Sequence, residues 1–273
     1  MSKVALVTGS NKGIGLAIVR ALCKSFDGDV YLLARDETRG LNAVKLLEKE
    51  NLTPKFHQLD INDVTSVHRL RKHMSLHYGG IDVLVNNVGI AFKSADRTPF
   101  SDQAETTMKT NYFGTIIVSD ILIPLVRSGG RIVNMSSMLS LSNLKKCSSE
   151  NQEFFRSETL TEEDLTVKVI DFVRETKLGT HLKSGYTDSA YGMSKVAVTT
   201  LTRIWAKRIR SDGKKDILMN SCCPGWVRTD MGGESAPKSP DEGAITPVYL
   251  ATLPPGLDEP HGQFVSNKTV EEW

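Results

Sequence analysis

The stretch "KVALVTGSNKGIG", residues 3–15, decides the fold. Val4 to Val7 form a short continuous apolar run, the pattern of a strand buried on both faces. It leads directly into a glycine-rich turn. From Gly13 onward the apolar residues Ile14, Ile18 and Leu22 recur four apart, which is the period of a helix. Strand, glycine turn and helix in this order open a βαβ unit. The alternation then repeats. Further strands are expected at 29–34, 55–59, 81–87, 130–137, 216–223 and 262–265. Helices are expected over about 36–50, 63–78, 101–126 and 190–211. Repeated units of this kind build a parallel sheet with right-handed crossovers and helices on both faces. The expectation is an α/β fold: one doubly wound Rossmann-type domain over residues 1–273, with a parallel sheet of about seven strands.

Residues 141–186 interrupt the pattern, being more polar and lacking a strand signal. Inside them "TLTEEDLTVKVIDFV" carries a helix start, Thr161 followed by acids in the first turn. Leu165, Val169, Phe172 and Val173 then share one face. This reads as a helical insertion that covers part of the domain surface.

Bulk properties exclude several classes of function. The chain has 273 residues, 40% hydrophobic and 24% charged, which suits a soluble globular domain with a large core. A formal charge of +2 without a dense basic cluster argues against nucleic acid as a partner. No apolar run approaches the ~20 residues of a membrane span. The opening apolar run is too short for a signal peptide, and "EEW" matches no retention or lipidation pattern. Cys23, Cys147, Cys222 and Cys223 show no metal-binding spacing, so no metal site is expected. Cys222 and Cys223 end a strand and face opposite ways, which disfavours a bridge. Reduced thiols in the cytoplasm are the expected state.

The turn "TGSNKGIG" lacks the G-x-G-x-x-G spacing but keeps its physics. A strand ends, the backbone is open, and a helix N-terminus offers partial positive charge to a diphosphate. It lies at the carboxyl end of the first strand, where doubly wound folds bind ligands. Gly9, Asn11, Lys12, Gly13, Ile14 and Gly15 are therefore candidates for holding a dinucleotide. The end of the second strand indicates which one. A carboxylate there would suit the ribose 2′-hydroxyl of NAD, whereas this chain has Arg35, with Lys12 and Arg39 nearby. These cations suit a 2′-phosphate, so NADPH is expected; Asp36 reads as a helix cap. After the third strand, Asp60 either accepts from the adenine amino group or caps the next helix, with Ile61 against the ring. Asn87 and Gly89 in "NNVG" would let the backbone approach the cofactor.

Tyr191 and Lys195 of "YGMSK" stand four apart at the start of a helix and so share one face. "NMSS" ends the fifth strand at the same edge of the sheet. With "TGSNKGIG", "NNVG", "KTNYFGT" and "CCPGWVRTD", this ordered set resembles the short-chain dehydrogenase/reductase family over essentially the whole chain. Ser137 and Tyr191 lie 54 positions apart, much farther than is usual in that family. The long spacing, with "GIAFKSAD", "TPVYLATLPP" and "HGQFVSNK", is similar to the monomeric carbonyl reductase branch found in animals, which includes fish 20β-hydroxysteroid dehydrogenases. Val88 departs from the alanine usual in "NNAG".

The resemblance implies NADPH-dependent reduction of carbonyl compounds. Tyr191 would be the general acid, with its pKa lowered by Lys195 and the oxidised cofactor. Lys195 would also hold the nicotinamide ribose, Ser137 would bond the carbonyl oxygen, and Asn111 would complete a proton relay. Alternation turns Ser136 to the other side of the sheet, and Ser140 is the other, less favoured serine. Pro224, Gly225, Val227 and Thr229 would line the nicotinamide loop. Trp226 and Met231 would form an apolar substrate mouth or else pack within the lid, and such a mouth suits quinones, aromatic ketones or steroids. The insertion would cover the helix face used for dimerisation, leaving a monomer. The rival readings are an NAD-dependent alcohol dehydrogenase, which Arg35 and Lys12 oppose, and a non-catalytic NADPH-binding regulator, which the intact catalytic set opposes.

Overall fold

In the computed structural model, which describes residues 2–93 and 95–273, the opening strand β1 (Val4–Thr8) is buried along its whole length. Beside it lie β2 (Asp29–Ala34) and β3 (Lys55–Gln58) on one side. On the other side lie β4 (Ile81–Asn86), β5 (Val126–Met135), β6 (Leu218–Cys223), β7 (Phe264–Ser266) and β8 (Thr269–Glu271). The spatial order is β3-β2-β1-β4-β5-β6-β7-β8, and all neighbours are parallel except β7 and β8. The order reverses between β1 and β4, which opens a crevice at the carboxyl ends of these strands.

The helices are α1 (Gly13–Ser25), α2 (Glu37–Glu48), α3 (Val64–Tyr78), α4 (Phe100–Met108), α5 (Gly114–Leu122), α6 (Met138–Leu144), α7 (Ser149–Arg156), α8 (Glu162–Leu178), α9 (Ala190–Ser211) and α10 (Pro240–Ala251). Alternation along each strand feeds two cores. Leu6 faces a core shared with Trp205, whereas Ala5 and Val7 face one shared with Ile18 and Leu22. Asp36 caps α2, accepting from the Arg39 amide at 2.8 Å. Asp63, not Asp60, caps α3.

Three differences from the expected layout have local causes. An eighth strand exists because Asn267 and Lys268 both take positive φ, 49° and 64°, and fold β8 back on β7 in a two-residue hairpin. The segment of β8 is short and largely exposed, so it carries no apolar run for the sequence to reveal. Helix α10 went unpredicted although "SPDE" is a start signal: Ser239 and Glu242 form a reciprocal capping box with Pro240 in the first turn. The long helix expected over 101–126 is instead divided. A π-helical turn, Lys109–Phe113, joins α4 to α5, and its Gly114 amide bonds back to the Lys109 carbonyl.

The insertion is helical, comprising α7, α8 and the end of α6. Thr161 and Asp164 form the capping box of α8; Leu165, Val169 and Phe172 are buried in the larger core, with Val173 partly so. Polar contacts lock α8 down. The Trp205 indole donates to Glu162 at 2.6 Å, Tyr112 and Thr166 share a hydrogen bond of 3.0 Å, and Lys177 pairs with Glu105 at 2.8 Å.

Candidate active site

The crevice between β1 and β4 is floored by the glycine turn. Gly9 and Gly13 adopt positive φ, +61° and +57°, which side chains rarely accept. A Cβ at Gly9 would stand 2.7 Å from the Val88 side chain, and one at Gly15 would stand 2.6 Å from the Asn87 amide. Among the described residues no side chain caps α1, and no acid sits in its first turn. Its first amides therefore face outward with partial positive charge. An open cradle of main chain leading into an uncapped helix end fits a diphosphate.

The cations expected at the 2′-phosphate are all exposed. Lys12 pairs with Asp230 at 2.5 Å, and Arg39 lies 3.7 Å from Asp36. Among the described residues Arg35 has no ion-pair partner, so its guanidinium is the least committed of the three. The loop after β6 reaches back to the turn, since a Cβ at Gly13 would lie 3.2 Å from the Thr229 methyl. Gly225 has φ +89°, placing a sharp bend directly after Pro224.

Ser189 caps α9, which positions Tyr191 and Lys195 in the first turns of a helix buried against β5 and β6. The Lys195 ammonium lies 5.4 Å from the centroid of the Tyr191 ring and donates to the Met135 carbonyl at 2.7 Å. A Cβ at Gly89 would lie 3.4 Å from that ammonium and 3.6 Å from Asn111 Oδ1, so Gly89 is flanked by both. Asn111 is buried in the π-helical turn. Its Oδ1 accepts from the Ile90 amide at 2.8 Å, and its Nδ2 donates to the Ile90 carbonyl at 3.0 Å and to Ser194 Oγ at 2.9 Å. The wide turn is the backbone irregularity that accompanies functional positions inside helices. Ser136 is turned away from the site and bonds Thr199 at 2.6 Å, as strand alternation requires. Ser137 caps α6, accepting from the Leu139 amide at 3.1 Å, and lies close enough to Tyr191 to favour its phenolate.

Burial pushes the Tyr191 phenol up to about 12, the nearby Cys223 adds to this, and Ser137 opposes it. The lowering expected from Lys195 together with the oxidised cofactor concerns the loaded enzyme. Here the ammonium is turned to the Met135 carbonyl, and its own pKa is held down to about 8 by burial. A neutral phenol is thus the resting form at physiological pH, as a proton donor requires.

Other candidates are placed differently from the expectation. The Ile61 side chain is buried in the core, where a Cβ at Gly114 would come within 2.6 Å of it, so it packs on α5 rather than on a ring in the crevice. The Val227 side chain is likewise buried, against Gly243 of α10. The Asp60 carboxylate accepts from the Asn62 amide at 3.0 Å, a local turn rather than a helix cap. Asn87 holds the glycine turn itself, donating to the Thr8 and Gly9 carbonyls at 3.0 Å each. Trp226 and Met231 are exposed, and the Trp226 indole donates to the Gly232 carbonyl at 2.9 Å. Met138 and Leu139, missed earlier, are also exposed and directly follow Ser137. The apolar "ML" after "NMSS" was the available signal. Cys222 and Cys223 are buried free thiols. Among the described residues, no group of three or more His, Cys, Asp or Glu is placed to hold a metal, and no helix is long and apolar enough to cross a membrane.

Comparison with known proteins agrees with this geometry. A family model described as short chain dehydrogenase matches residues 3–149 and 179–240, passing over the segment that holds α8 and all but the first residue of α7. The chain is 60% identical over 271 residues to carbonyl reductase [NADPH] 1 of Homo sapiens, covering 99% of this chain and 98% of that one. It is 58% identical to the Rattus norvegicus protein of the same name, with the same coverage. Among solved structures, salutaridine reductase from Papaver somniferum superposes with a TM-score of 0.85 at 30% identity, covering 96% of this chain and 99% of that one.

Proposed function

We propose how this chain, which belongs to the short-chain dehydrogenase family, uses the site just described. It is an NADPH-dependent carbonyl reductase that converts carbonyl compounds to alcohols. When bound, NADPH supplies the hydride. The Gly9–Gly15 turn and the α1 N-terminus would hold its diphosphate, and Arg35, Lys12 and Arg39 its 2′-phosphate. Tyr191 would give its phenolic proton to the substrate oxygen, and the Ser137 hydroxyl would donate a hydrogen bond to the same oxygen as charge develops there. Lys195, anchored on Met135, would hold the ribose hydroxyls. Asn111, across Gly89 from Lys195, would order the route by which Tyr191 regains a proton.

One observation carries this reading. A half-buried, protonated Tyr191 stands beside Lys195 and Ser137 at the carboxyl edge of the sheet that also presents the glycine cradle. The exposed apolar side chains Trp226, Met231, Met138 and Leu139 suit quinones, aromatic ketones and aldehydes, and steroid or prostaglandin ketones. Residues 1–273 act as a single domain, with 141–186 inserted. The packing of α8 on α4 and α9 supports a monomer, in which the insertion would cover the face that other family members use for dimerisation, and the expected compartment is the cytoplasm. Steady-state turnover of menadione with NADPH and with NADH tests the assignment; equal or better use of NADH would overturn the cofactor reading. Sedimentation at micromolar concentration tests the monomer, which a stable dimer would refute.

A further inference from the structure

Trp273 stands two residues beyond β8, far in sequence from every catalytic candidate, yet it reaches the catalytic helix. Its indole nitrogen donates to Ser140 Oγ at 2.9 Å, its ring packs on the larger core, and the Arg203 guanidinium lies 5.6 Å from the ring centroid. Arg203 is itself tied to the insertion, at the Phe155 and Arg156 carbonyls and at Glu158. The ring is therefore held from two sides.

Ser140 is fully buried in the first turn of α6. Among the described residues the indole is the only hydrogen-bond partner of its hydroxyl. A buried hydroxyl left without a partner is costly, so this contact selects one placement of the turn. The Ser140 amide donates to the Ser137 carbonyl at 2.8 Å, and Ser137 opens the same helix as its cap. Along the other flank, Asn143 of α6 accepts from Thr187 at 2.8 Å and leaves no room for a side chain at Gly192 of α9. The α6 turn is thus clamped between α9 and Trp273.

We infer that Trp273 is a positioning residue for carbonyl reduction: through Ser140 it sets the first turn of α6 and so the place of the Ser137 hydroxyl relative to Tyr191. This rests on the reading of Ser137 as the group that bonds the substrate oxygen. Phenylalanine at 273 keeps a ring but loses the donor, and alanine at 140 loses the acceptor.

The test is a set of mutant cycles read by kcat, the KM for NADPH and thermal unfolding. Trp273→Phe and Ser140→Ala should each lower kcat about 3- to 10-fold, the scale of one neutral hydrogen bond, and leave the KM for NADPH unchanged. The double variant should lose no more than either single one. In a Ser137→Ala background, Trp273→Phe should have no further effect on kcat, because the group it positions is gone. A purely structural role would show the same loss in both backgrounds, and that result overturns the inference. So does an unchanged kcat in both single variants. If Trp273→Phe does not fold, Ser140→Ala alone is compared with and without Ser137. Full turnover by Ser137→Ala itself would instead refute the reading of Ser137, a failure distinct from that of Trp273.

Discussion

The Lys195 ammonium is held 2.7 Å from the main-chain oxygen of Met135, the last residue of β5, while sharing a helix face with Tyr191. The contact stitches α9 to the end of the strand that delivers Ser137. Two groups far apart in the chain, the phenol and the serine hydroxyl, are thereby brought to one place at the sheet edge.

Removing the Tyr191 hydroxyl removes the proposed proton donor and little else. Tyr191→Phe should lower kcat by about 10²- to 10⁴-fold, the usual worth of a positioned acid. NADPH affinity, followed by fluorescence titration, should stay within about twofold, because the ring remains and general-acid function is lost only in the chemical step. Turnover at the parent rate would remove Tyr191 from the mechanism.

The pH dependence follows from Lys195. Burial lowers its pKa from the usual 10.5 to about 8, so the free enzyme loses this charge as pH rises through about 8. The profile of kcat/KM for NADPH should fall above that pH, since this ratio reports the free enzyme. Stability should move the opposite way. Between pH 8 and 10.5 the unfolded chain binds more protons at this position than the folded one, so this group contributes stability that increases with pH. Lys195→Arg should keep the high-pH limb flat. A limb unmoved by Lys195→Arg would assign it to another group.

Arg35 is the cation with the fewest rivals for the 2′-phosphate. Arg35→Ala should raise the KM for NADPH by about 10- to 100-fold, as expected for losing a charge-assisted hydrogen bond. The KM for NADH should barely move. Parallel losses with both cofactors would place Arg35 elsewhere.

Lys12 is already paired, at 2.5 Å, with an exposed Asp230. Asp230→Asn should free the ammonium and lower the KM for NADPH modestly, by about two- to fivefold, since an exposed pair is worth little. A rise in that KM would mean that Asp230 instead holds the loop in its working position.

Gly9 tests the cradle. Gly9→Ala forces a side chain into the left-handed region and 2.7 Å from the Val88 methyl. Unfolding in urea should show a loss of about 2–4 kcal/mol, from backbone strain and overpacking together. Val88→Ala in that background should restore the packing part only. A full recovery would show that φ at Gly9 contributes nothing.

Much of this molecule was legible before any coordinates. Apolar runs of strand length between helical periods dictate a parallel sheet, and a parallel sheet with right-handed crossovers leaves little choice of topology. Tyr191 and Lys195 announce themselves because a four-residue step puts side chains on one helix face, and Ser137 is separated from Ser136 because neighbours on a strand face opposite ways. Local rules reach that far.

What they could not reach are choices made by distant neighbours. Ile61 and Val227 stand at the expected edge of the sheet, but Gly114 and Gly243 left hollows that their side chains fill. The strand β8 depends on two residues in left-handed backbone, and Lys12 met an aspartate 218 positions away. The Tyr191 phenol is pushed above its ordinary pKa because folding removes water from around it, and desolvation is a property of the assembled packing that no spacing of residues encodes.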